Sequence, residues 1–189
     1  MWNSVLCHHP LGLYQWLVVL TVTLVAVLYD LRIRLIPNWL TLPFFFCGLG
    51  VAWGVSGWAG LSDALVGAIL LAVPYIVLYL FAGGGAGDAK LMGALGAWLG
   101  LSNSILLLVA VTSSGAILGL LYALLRGQLG VVLGNLRVMV MSLVWCLGQR
   151  QRPTPALFPA PQKMLKIPYG VAIFAGTCIT AGGVILWRI

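Results

Sequence analysis

Apolar residues follow one another along the chain in long blocks, separated by short polar or glycine-rich breaks. The blocks cover residues 11–28, 39–55, about 64–82, 89–101, 105–125 and 168–187. A helix of about 20 apolar residues crosses the hydrocarbon core of a bilayer, so the pattern predicts an all-α integral membrane protein with six transmembrane helices. The breaks fit that order. Asp30, Arg32 and Arg34 mark the end of the first helix, and Ile36-Pro37-Asn38 suits a turn and a helix start. Residues 56–63, SGWAGLSD, form a short turn in which Ser62 or Asp63 can cap the third helix. A basic segment at about 126–167 separates the last two helices. It carries Arg126, Arg137, Arg150, Arg152, Lys163 and Lys166, with a proline-rich stretch at 152–161. Within it, 131–147 is apolar but interrupted by Gly134, Asn135 and Arg137, which fits an interfacial helix better than a seventh span.

Composition sharpens this picture. Of 189 residues 62% are hydrophobic and only 7% charged, far below the roughly 25% of a soluble domain, so residues 1–189 are expected to form a single polytopic membrane domain. The net charge of +7 reports topology rather than nucleic-acid binding, which needs a basic stripe on a soluble face. With six spans, Arg32, Arg34, Lys90 and the basic segment share one side, and Arg188 lies opposite. The positive-inside rule makes the first side cytoplasmic and places both termini outside. The N-terminus lacks a signal peptide's basic region, so the first helix is expected to stay in the membrane. Cys7, Cys47, Cys146 and Cys178 form no C-x-x-C pair and read as small apolar residues. His8 and His9 lack partners at ligand spacing, so no metal and no cofactor are expected.

The chain has no Glu, and its carboxylates are Asp30, Asp63 and Asp88. The block 89–101 would span about 20 Å of a hydrocarbon core about 30 Å thick, so the preceding glycine cluster, and Asp88 with it, belongs at membrane depth or its interface. Irregular backbone survives there where it lines a cavity. Asp30 shares a helix face with Ala26 and Thr23, and Asp88 adjoins a face formed by Gly93, Gly96 and Gly100 that permits close approach, with helix 1 as the expected neighbour. Ionisable groups at membrane depth are costly enough to call for a function. Two carboxyl groups held close cannot both ionise cheaply, so one keeps a proton; the other can then activate water for attack on a peptide carbonyl. The plainer alternative leaves Asp30 paired with Arg34 and Asp88 capping a helix. Residue chemistry alone leaves both open.

The motifs D-x-R-x-x-x-I-P-N at 30–38 and G-A-G-D-A-K-L at 85–91 resemble the two aspartate motifs of type IV prepilin peptidases and archaeal preflagellin peptidases, membrane aspartyl proteases with a G-x-G-D signature. K-I-P-Y-G at 166–170 resembles the sequence that opens the last helix of that family, and the likeness extends over about 12–187. Tyr29-Asp30 also spells the Y-D of presenilin-type proteases, but the I-P-N that follows favours the prepilin group. The resemblance implies removal of the leader peptide from prepilin or pseudopilin precursors at the cytoplasmic face of the inner membrane, with Asp30 and Asp88 as the catalytic pair. Paired C-x-x-C motifs of the bifunctional enzymes are missing, so the chain resembles the short tight-adherence (Flp) type and methylation is not expected.

Around the pair, Gly85 and Gly87 are expected to permit a left-handed or bulged turn that sets the depth of Asp88. Pro37 and Asn38 shape the approach near Asp30. Lys90 lies about 200° around the helix from Asp88, given 3.6 residues per turn, and is expected to reach lipid phosphate. The basic loop is a topology determinant that could also meet acidic residues of the mature pilin. Asp63 is expected to be only a cap. Two rivals belong to other classes: a small proton-coupled transporter, against which no repeat relates 11–82 to 89–187, and a non-catalytic membrane assembly scaffold.

Overall fold

The computed structural model describes residues 12–33, 35–82, 85–127, 129–134, 137–138, 140–141 and 169–186. Among them the regular structure is entirely helical: α1 (Gly12–Ile33), α2 (Asn38–Ala82), α3 (Ala86–Leu125) and α4 (Tyr169–Leu186). All four are long and apolar enough to cross a membrane. Large apolar side chains on their outer faces, such as Leu17, Leu28, Ile69, Val109 and Ile179, are exposed, the arrangement expected where lipid replaces water as solvent.

Two of the helices are too long for a single crossing. At 1.5 Å per residue, 45 and 40 residues would extend about 67 and 60 Å, twice a hydrocarbon core of about 30 Å. Each consists of two helices meeting at a glycine outside helical geometry: Gly57 (φ 58°, ψ −139°) in α2 and Gly100 (φ 67°, ψ −178°) in α3. Positive φ is where a side chain is disfavoured, so these two positions let the chain reverse. It does so at Gly57, because Gly60 lies directly against the Ala52 carbonyl, whereas eight residues of straight helix would separate them by about 12 Å.

The chain divides into two compact units, Met1–Gly115 with Pro168–Ile189, and Ala116–Ile167. In the first, small residues set the packing. Gly96 and Gly100 lie against the backbone of Gly67, and Gly93 against Ala68 and Ala72. The glycine face of α3 therefore meets the second half of α2, not α1 as the sequence led one to expect. Gly67, with Ala68 and Ala72 on the same side, offers a surface of small residues that lets the two backbones touch. Gly48 fits beside Trp98, whose ring stacks on Phe44 at 5.1 Å and whose Nε1 donates to the Phe44 carbonyl at 2.7 Å. Gln15 of α1 donates to the Trp98 carbonyl. Gly176 of α4 packs on the backbone of Val111. Buried Leu71, Leu91, Met92, Leu95, Leu107 and Ile173 fill the core between these seams.

In the second unit, α3 ends where Gly127 takes a positive φ of 63° and donates to the Leu124 carbonyl at 3.1 Å, a glycine helix stop. Arg126 stacks over the Tyr122 ring at 5.0 Å. Residues 129–134 are helical, at the start of the stretch expected to be interfacial. Most of the expected loop, including Arg150, Arg152, Lys163, Lys166 and the proline-rich stretch, lies outside the described residues, as do Arg34, Cys7, Cys146, His8 and His9.

Candidate active site

The turn between α1 and α2 is three described residues long, and the Pro37 carbonyl accepts the first helical bonds of α2 from Leu40 and Thr41 (3.2 and 3.4 Å). Turn and helix start fall where the sequence predicts, but the cap is Pro37, one residue before the expected Asn38, which opens the helix. Upstream, Asp30 is near the C-terminal end of α1, half-buried. Its Oδ2 accepts the backbone N–H of Gly170, in the first turn of α4, at 2.9 Å.

Asp88 is the third residue of α3 and is also half-buried. Its N–H donates to the Gly85 carbonyl at 3.1 Å, closing the first turn. Its carboxylate folds back over the Gly85 amide and interacts with it, in the manner of an acidic residue reaching back to a helix cap. Asp30 and Asp88, on α1 and α3, lie near enough for their charges to interact. The Asp88 charge is also felt at Tyr75 of α2, which is 4% exposed, and at Tyr169 of α4.

The two glycines of the G-x-G-D motif have a different cause from the one expected. Neither takes a positive φ; among the described residues only Gly57, Gly100 and Gly127 do. They are small because of what lies beside them. A Cβ on Gly85 would sit 2.6 Å from Asp88 Oδ2, and one on Gly87 would sit 3.0 Å from the Cβ of Ile36. Ile36, buried in the core, therefore seats its side chain on Gly87 and locks the I-P-N turn to the start of α3. A second link joins the same elements: Lys90 Nζ donates to Asn38 Oδ1 at 3.0 Å. Lys90 thus finds a protein partner where lipid phosphate was expected, because the turn carries Asn38 to the lysine's side of α3. Tyr29 and Trp39 meet edge to face at 5.8 Å across the same turn.

Asp63 lies elsewhere. It accepts the Leu101 N–H at 3.2 Å, just after the break at Gly100, twelve residues or about 18 Å along α3 from Asp88. It is a cap, but for a neighbouring helix segment rather than its own. Its own position is inside α2, and Ser62 likewise donates to the Ala59 carbonyl instead of capping. The chain reverses at Gly57, at the start of the expected 56–63 turn, and the helix resumes before Ser62, which causes the difference. Among the described residues no three His, Cys, Asp or Glu side chains gather as a metal site.

Ile36, Tyr75, Tyr169 and Gly170 were not singled out from sequence. Gly170 and Tyr169 belong to K-I-P-Y-G, whose role no spacing rule states. Tyr75 is a polar side chain inside an apolar block, a signal that a depth argument applied only to carboxylates overlooks.

Residues 17–124, more than half of the chain, match the type IV leader peptidase family. The chain is similar to the prepilin leader peptidase/N-methyltransferases of Aeromonas salmonicida (38% identity over 120 residues, 58% of this chain and 40% of the relative) and Pectobacterium carotovorum (35% over 127 residues, 62% and 45%). It is likewise similar to that of Xanthomonas campestris (37% over 109 residues, 52% and 37%). It spans less than half the length of these curated relatives. No solved structure matches it. A helical membrane chain whose two aspartate motifs interlock through Ile36 on Gly87 and Lys90 on Asn38, and whose sequence matches over 17–124, belongs to the type IV leader peptidase family.

Proposed function

We propose that this protein is a membrane aspartyl endopeptidase that removes the leader peptide of type IV prepilins, and that Asp30 and Asp88 are its catalytic pair. The observation that carries this reading is the interlock of the two aspartate motifs, Ile36 seated on Gly87 and Lys90 bonded to Asn38, with Asp30 and Asp88 both half-buried beside it. One carboxylate takes a proton from the attacking water. The other, carrying a proton, donates to the carbonyl oxygen as it gains charge, and the tetrahedral intermediate collapses as the leaving amine is protonated. Water is the nucleophile, and no metal or covalent intermediate enters.

The halves of α2 and α3 each make a crossing, for six in all, with the reversals at Gly57 and Gly100 on the face opposite the aspartates. Asp30 and Asp88 then lie at the cytoplasmic side of the inner membrane, the side that carries Arg32 and Lys90. The substrate is a prepilin or pseudopilin of the tight-adherence (Flp) type, and lipid is the other partner.

Purified full-length protein in detergent, given a synthetic prepilin peptide spanning the leader junction, tests this. Wild type releases the leader, and Asp30→Asn and Asp88→Asn each abolish release while remaining folded. Full processing by either variant rejects the pair; no processing by wild type rejects the peptidase and returns the question to transport or scaffolding.

A further inference from the structure

The last helix meets Asp30 through main chain. Gly170, 140 residues from Asp30 in sequence, donates its N–H to Asp30 Oδ2 at 2.9 Å. That N–H is one of the four at a helix start with no partner inside the helix, and the carboxylate only accepts, so each group supplies what the other lacks. The approach excludes a side chain. A Cβ on Gly170 would lie 2.8 Å from Oδ2, 3.1 Å from Cβ and 3.3 Å from Cγ of Asp30. Tyr169, the preceding residue, fixes the helix start by resting its ring on Gly115, 3.5 Å from where a Cβ would be. Gly170 itself is buried, and it opens a run of buried positions, Ala172, Ile173, Gly176 and Thr177, that holds α4 in the bundle.

We propose that Gly170 is a positioning residue whose backbone N–H, presented by α4 without a side chain, sets the orientation of the Asp30 carboxylate toward Asp88. The proposal rests on the peptidase reading. It makes the K-I-P-Y-G element a third component of the site beside the two aspartate motifs, and it accounts for the glycine there by space rather than by backbone conformation.

Two measurements test it. In steady-state cleavage of the prepilin peptide, Gly170→Ala lowers kcat about tenfold to a hundredfold, the range for displacing a reacting group by up to about 1 Å, while KM stays near wild type because peptide binding is untouched. Gly182→Ala on the same helix, where an added Cβ meets nothing within 4 Å, keeps wild-type kcat. The second measurement needs no activity: in 15N-labelled protein, Asp30→Ala shifts the Gly170 amide proton upfield as its charged acceptor is lost. Wild-type kcat in Gly170→Ala, or a Gly170 amide indifferent to Asp30→Ala, overturns the proposal. If wild type cleaves nothing, the peptidase reading falls by itself and the amide shift still decides whether the contact exists; the shift also decides if Gly170→Ala does not fold.

Discussion

Adding one methyl group to Gly85 should slow catalysis without weakening substrate binding. The new Cβ would stand 2.6 Å from Asp88 Oδ2 and 3.2 Å from Cγ, where real contacts begin at 3.0 to 3.4 Å. The carboxylate must therefore withdraw by about 0.4–0.8 Å. Misplacing a reacting group by about 1 Å costs on the order of a hundredfold in rate, so a displacement of this size should lower kcat about tenfold, equivalent to about 1.4 kcal/mol in the barrier. Gly85 is not in the left-handed region, so the substitution brings no backbone strain. Its separate cost is that of Ala at a helix cap, on the order of 1 kcal/mol of stability. Steady-state kinetics on the prepilin peptide, with thermal melting in the same detergent, separates the two: kcat falls, KM holds, and the melting temperature drops slightly. Wild-type kcat in a folded Gly85→Ala protein would refute the idea that this glycine exists to accommodate the Asp88 carboxylate.

The Lys90–Asn38 bond should couple the two aspartate motifs. Asn38→Ala and Lys90→Met each lower kcat/KM severalfold, and the double variant is no worse than the worse single one; the bond is exposed, so the coupling is at most about 1 kcal/mol, and additive losses would sink the claim. Asp63 should matter to folding and not to catalysis. Asp63→Leu removes the acceptor for Leu101 N–H and costs about 1 kcal/mol of stability, read as a lower melting temperature at unchanged kcat, whereas Asp63→Asn retains both; a kcat loss in folded Asp63→Asn would place that carboxylate in the chemistry.

Much of the candidate site was legible because its chemistry is scarce. With three carboxylates in the whole chain, Asp30 and Asp88 stood out by their motifs, and the glycines at 85 and 87 marked a special turn before Asp88. What those glycines accommodate could not be read. Gly85 and Gly87 look like residues chosen for backbone freedom, yet their φ angles are ordinary and each faces one particular neighbour, Asp88 and Ile36. Of the glycines that do use positive φ, Gly57 lay in the segment read as a turn, while Gly100 was read only as part of a packing face.

Sequence by itself determined the helical class, the membrane solvent and the turn at Pro37, which follow from local composition and periodicity acting over one or two turns of helix, and its motif resemblance singled out the two carboxylates. Tertiary structure decided which helix faces which: that the glycines of α3 meet Gly67, that Asp63 caps Leu101, and that Lys90 finds Asn38. It also brought Gly170 to Asp30 from 140 residues away. Nearly every face of an apolar helix is equally willing to be buried, so hydrophobicity alone cannot choose partners in a membrane bundle. The choice falls to the few places where a missing side chain lets backbones touch or a lone polar group finds its complement.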